Sequence, residues 1–208
     1  MQLSSSPEEA VEALKAELYE ILSGSRLPQS LKHAERTWYW VQQLNPEADL
    51  AMEIACLGHD LDTCREEWRI IKDEHEDEER FKKAHAQKSA ELLRELLHKH
   101  GIDESAISRV SNLIFSVANH EYGVDKDSIT LMQAEALSFF EYNLPIYFLQ
   151  KGEARTREKI GTMWSKLSAE QQPIVRQIFT SYDRSSKDYF RLRKEDWDNL
   201  MRVINELQ

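Results

Sequence analysis

PEADLAMEIACLGHD occupies residues 46–60. From Leu50 to Leu57 the segment is apolar on nearly every side, the pattern of a helix surrounded by other elements rather than lying on a surface. It ends in His59-Asp60. A histidine and an aspartate at the end of a buried helix are costly unless they are paired or coordinate something. Neighbouring residues on a helix point about 100° apart. His59 and Asp60 therefore share one ion only if it lies beside the helix terminus.

Around this central helix the chain reads as almost entirely helical. Only 6 Gly and 5 Pro punctuate 208 residues, and β-branched alternation is absent. Ser6-Pro7-Glu8-Glu9 is a helix start with a capping Ser, Pro at the first helical position and Glu at the third. That helix is expected to reach about Leu22 and stop at Gly24. Further helices are expected over 29–44, 46–60, 79–100, 103–120, 127–150 (bent or divided by Pro145), 154–166, 169–182 and 195–206. The acidic residues at 73–79 around His75 read as a solvated loop and helix start. The expected fold class is all-α, a helical bundle with a C-terminal helical extension. Residues 1–208 form one domain in this reading, with a core over 25–150 and the extension, 151–208, packed on it.

Composition excludes several classes. Lys+Arg number 27 and Asp+Glu 37, a net charge of -10, which argues against a general nucleic-acid binder. Residues 151–208 hold 12 Lys/Arg and 9 Asp/Glu, so a body of net -13 precedes an extension of net +3. No apolar run approaches the ~20 residues that span a bilayer, and MQLSSSPEEA has neither the basic nor the apolar region of a signal peptide. Cys56 and Cys64 are too few for a disulfide framework and read as reduced thiols. A cytoplasmic protein is expected, and its aromatics and helical extension are compatible with a homodimer.

The other histidines converge on the same interior. His33 shares a stripe with Thr37, Trp40, Val41 and Leu44. His85 precedes Ser89, Leu92 and Leu96 on one face, and His120 ends the stripe of Ala106, Val110, Leu113 and Val117. His98 sits on a polar face with Glu91 and Arg94. Each inward imidazole needs a partner. Imidazole and carboxylate together suit Fe, Mn, Ni, Co or Zn, whereas Mg prefers oxygen.

At these residues the chain resembles the HD-domain superfamily of metal-dependent phosphohydrolases. His33-Ala34-Glu35-Arg36 is similar to the family's H-x-x-R opening, and Ala55 to Asp62 to its A-x-L-x-H-D-I/L-x element. His85-Ala86-Gln87-Lys88-Ser89-Ala90 looks like the helix start H-x-x-x-S-A of small bacterial members, and Ala134-Glu135-Ala136-Leu137 stands where the family has A-D-x-L. The likeness spans about 28–142. It departs at Glu135, where the family's last ligand is usually Asp. A Glu can still ligate, but its extra methylene moves the carboxylate.

The resemblance implies a metal site of His33, His59, Asp60 and Glu135, extended to two ions by His85 and His120 with Asp60 bridging. It implies hydrolysis of a nucleotide or other small phosphate ester by metal-activated water. Asp60, His85 and His120 would be the catalytic groups. In a one-ion site, His85 and His120 would orient substrate and shuttle protons. Arg36, one turn after His33, faces either a substrate phosphate or an ion-pair partner. Two alternatives stand beside the hydrolase: a di-iron oxygenase using the same six ligands, and a non-catalytic metal- or ligand-binding regulatory module.

Overall fold

The computed structural model describes residues 6–71, 78–118, 125–182 and 192–206. The fold is all-α: among the described residues every regular element is helical. None of these helices is long and apolar enough to cross a membrane. The chain divides between Met132 and Gln133 into two compact units.

The first unit holds α1 (Pro7–Ser23), α2 (Ser30–Leu44), α3 (Leu50–Gly58), 3-10 turns at Leu61–Thr63 and Glu66–Trp68, α4 (Glu78–Lys99) and α5 (Glu104–Ala118). It ends within α6 (Lys126–Ser138). The capping box at the start of α1 is formed: Glu9 N donates to Ser6 Oγ at 3.2 Å and Ser6 N to Glu9 Oε2 at 2.8 Å. The acidic residues 73–77 lie outside the described residues.

α3 is the central helix the composition predicts, packed against α1, α2, α4 and α5. It is shorter than 46–60. Asp49 takes the N-cap position and accepts from Met52 N at 3.2 Å, which leaves Pro46 to Ala48 in a preceding turn. The side chains of Met52 and Ile54 to Leu57 are all buried. α4 ends in a Schellman turn, with Ile102 N donating to Leu97 O and Gly101 N to His98 O, both at 3.0 Å. Gly101 has φ 71° there, a conformation glycine adopts without steric cost.

At Gly58, α3 lies directly against Leu93 of α4. A Cβ at this position would lie 2.3 Å from Leu93 Cδ2, and Leu93 is itself buried. Leu93 stands two turns beyond His85, so this contact holds the end of α3 beside the helix that carries His85.

The second unit contains a π-helical turn (Phe139–Asn143), α7 (Leu144–Ser165), α8 (Gln172–Ser181) and α9 (Lys194–Asn205). The stretch 127–150, expected to be bent or divided by Pro145, is divided by this π turn, and Pro145 occupies the first turn of α7, where its missing N–H is tolerated. The Tyr182 hydroxyl donates to the Phe140 carbonyl of the π turn, and burial pushes its phenol upward. Residue 151, where the sequence suggests an extension begins, lies inside α7. Gly152 (φ 75°, ψ 177°) breaks α7 internally, as its position in the sequence suggests. α9 packs on α7, burying Trp197, Leu200, Val203 and Ile204.

The basic residues of this unit are largely held by its own acids. Arg157 pairs with Glu153 and Glu206, Arg155 with Glu158, Arg193 with Asp196 and Lys194 with Asp198. Arg184, Lys187 and Arg191 lie outside the described residues.

Glycine substitutions test this packing. Gly58→Ala should destabilise the protein by about 1–3 kcal/mol through overpacking against Leu93. Gly161→Ala, where a Cβ meets nothing within 4 Å, should stabilise by roughly 0.5–1 kcal/mol through helix propensity. Urea titrations of the two variants should shift the transition in opposite directions.

Candidate metal centre

The sequence places His33 on the inward face of α2, and the structure buries it there with Ala34, Thr37 and Val41. Thr37 Oγ1 donates to the His33 carbonyl at 2.9 Å. His59 follows the last residue of α3, and Asp60 (φ -116°, ψ 21°) has already left helical geometry. Beyond that break the spacing of a continuing helix no longer sets the direction of the Asp60 side chain.

Three atoms therefore converge. His33 Nε2 and His59 Nε2 are 3.3 Å apart, and Asp60 Oδ2 lies 3.8 Å from the first and 3.5 Å from the second. Two ligands bound at ~2.0–2.1 Å to one tetrahedral ion stand about 3.3–3.4 Å apart, so the spacing suits a shared ion. Among the described residues, His33, His59 and Asp60 form a group that could hold a metal.

The protonation pattern of His59 fits the same use. Its Nδ1 is 2.9 Å from the Cys56 carbonyl, which can only accept. Nδ1 thus carries the hydrogen, and in the neutral ring Nε2 presents a lone pair to His33 and Asp60. A backbone carbonyl behind the ring is a common way of fixing a ligating tautomer. Burial opposes ionisation of Asp60, but the neighbouring His59, His85 and His33 outweigh it and hold the carboxyl well below the usual range.

His85 approaches from α4 on the other side of Asp60. Its Nε2 lies 3.0 Å from Asp60 Oδ1 and its Nδ1 2.7 Å from Asp62 Oδ2. Phe81, one turn earlier, stacks on the ring at 6.2 Å with the planes 11° apart. Burial alone would lower the His85 imidazolium, but the hydrogen bonds to Asp60 and Asp62 raise it to about 10.

The structure brings His33, His59, Asp60 and His85 together in the first unit. His120 lies outside the described residues. Glu135 belongs to the second unit, where its carboxylate accepts from Lys166, itself buried. The Arg36 guanidinium sits 3.8 Å over the Tyr39 ring. His98 is exposed and pairs with Glu104 at 3.6 Å, in keeping with its polar face. Cys56 packs in α3, and burial pushes the Cys64 thiol up to about 11, so neither offers a thiolate near neutral pH.

Two residues of the centre have no role assigned from sequence, Asp62 and Ser89. Ser89 Oγ donates to Asp62 Oδ1 at 2.8 Å. Their signal was a second aspartate two places after Asp60 and a serine one turn after His85. Neither spacing identifies a contact until the 3-10 turn at Leu61–Thr63 lies against α4.

A family model described as a domain of unknown function, DUF4202, matches residues 10–188. The chain belongs to that family. The match includes His33, His59, Asp60, Asp62, His85 and Ser89. No curated protein and no solved structure matches the chain.

The cluster predicts how stability depends on pH. His85 binds its proton more tightly folded than unfolded. Its contribution is therefore complete below the unfolded value of ~6.5 and is lost as pH rises through about 10. Asp60 acts in the opposite sense, contributing above ~3.9 and losing that contribution as pH falls. In EDTA, the melting temperature should fall between pH 6.5 and 10, and His85→Gln should flatten that slope. An unchanged slope in the variant would place the titrating group elsewhere.

Proposed function

We propose that this protein is an HD-type metal-dependent phosphohydrolase that cleaves a nucleotide or another small phosphate ester. The observation that carries the reading is the convergence of His33 Nε2, His59 Nε2 and Asp60 Oδ2 within 3.8 Å. An inward histidine on one helix and a His-Asp pair at the end of a central helix are the parts of the HD-domain pattern that bear metal.

His33, His59 and Asp60 would hold a divalent transition ion, of the Fe, Mn, Ni, Co or Zn class. Such an ion supplies Lewis acidity toward a phosphoryl oxygen and lowers the pKa of water from ~15.7 toward ~7. The protein's own contribution is positional. The Cys56 carbonyl fixes the His59 ring, and Asp60 is kept ionised by the imidazoles around it. With one ion bound, His85, against the second oxygen of Asp60, would exchange a proton with a reacting group beside that carboxylate. Arg36, stacked on Tyr39, supplies a guanidinium of defined plane, suited to two-point recognition of a phosphate. The substrate is anionic and small in this reading, and the acidic body requires such local cations to admit it.

One observation favours a second reading, a metal- or ligand-binding module without turnover. The carboxylate of Glu135, which the resemblance makes the fourth ligand, is engaged by Lys166.

Elemental analysis of the protein as purified, with phosphate release from p-nitrophenyl phosphate, bis-p-nitrophenyl phosphate and nucleoside monophosphates, separates these readings. A hydrolase contains stoichiometric transition metal and releases phosphate or nitrophenol. Asp60→Ala should abolish both signals, and His59→Ala should abolish turnover and the ion it holds, while the circular dichroism stays helical. Metal without turnover supports the binding module. Metal and activity that survive both substitutions exclude the site.

A further inference from the structure

A single ion at His33, His59 and Asp60 leaves unexplained why a second aspartate is buried behind His85. Asp62 is 2% exposed, and an ionised carboxylate is seldom left there without strong partners. Both of its oxygens are engaged. Oδ1 accepts from Ser89 Oγ at 2.8 Å, Oδ2 faces His85 Nδ1 at 2.7 Å, and Asp62 N donates to Ser89 Oγ at 3.2 Å. Ser89 lies one turn along α4 from His85 and is fully buried. One helix thus supplies the histidine and the anchor of the carboxylate that orients it.

This arrangement limits the ring to one useful orientation. Flipping it would set carbon atoms against Asp62 and Asp60 and lose both hydrogen bonds. With Nδ1–H committed to Asp62, Nε2 points at Asp60 Oδ1 from 3.0 Å, whereas Asp60 Oδ2 faces His33 and His59. Carboxylates behind a histidine fix its tautomer and raise its basicity as a ligand. We propose that Asp62, anchored by Ser89, is a positioning residue that aims His85 Nε2 at the second oxygen of Asp60 and so prepares a further cation position there. The inference rests on the metal-centre reading above and adds Asp62 and Ser89 to it. Asp62 acts only through His85.

Co²⁺ titration of the metal-free full-length protein, followed by visible absorption and calorimetry, tests the assignment. The wild-type protein should take up two equivalents. Asp62→Asn and Ser89→Ala should weaken one of them about 10–100-fold and leave the other unchanged. His85→Gln should abolish that same equivalent, and His59→Ala should abolish the other. A merely structural Asp62 would lower the melting temperature without this selectivity. Should Asp62→Asn fail to fold, Ser89→Ala carries the test, because it keeps the carboxylate and removes only its anchor. The proposal is overturned by a second equivalent of unchanged affinity in the folded variants, by equal weakening of both, or by a wild-type protein that binds one ion. A wild-type protein that binds none overturns the metal-centre reading and this inference with it.

Discussion

One carboxylate is shared by three imidazoles. Asp60 Oδ2 faces His33 and His59 while Oδ1 faces His85. Much of the first unit follows from making that possible. An anion at the end of an apolar helix requires compensation from nearby donors or cations, and no single helix can place three such groups around it. α2, α4 and the end of α3 each supply one. The short distance between α3 and α4 is permitted because residue 58 has no side chain.

The shared carboxylate also explains the polar residues behind it. His85 placed between Asp60 and Asp62 balances two anions with one ring, and Ser89 satisfies the oxygen of Asp62 that the ring does not reach. Such a network is stable only when every member has its partner, because an unpaired buried charge in a medium of low dielectric is far more costly than an exposed one. Burial, with a smaller contribution from the same anions, keeps the Cys64 thiol protonated near neutral pH. The groups that converge on Asp60 offer nitrogen and oxygen atoms.

In the second unit a buried carboxylate is treated differently. Glu135 and Lys166 form an ion pair of two largely buried side chains. Removing one partner of such a pair leaves an uncompensated charge, which is the costly event. The resemblance to the HD-domain pattern implied that Glu135 takes part in a metal site. Nothing in a helical stripe reveals that a lysine thirty-one residues later reaches the same carboxylate.

The all-α class, the buried α3 and the inward faces of His33 and His85 were legible from periodicity, because burial on a helix repeats with the helical turn. The capping box at Ser6 and the breaks at Gly101 and Gly152 were legible for a similar local reason: they depend on backbone hydrogen bonds and φ angles within a few residues. The π turn at Phe139–Asn143 and the early end of α3 were not, since caps and tertiary partners set such boundaries. What the sequence by itself determined was which residues face inward and which chemistry they carry. The packing of the helices settled that Asp60 leaves helical geometry directly after His59, that Asp62 and Ser89 meet behind His85, and that Lys166 takes Glu135. Those contacts join segments distant along the chain, and their geometry depends on how helices pack, which no local pattern encodes.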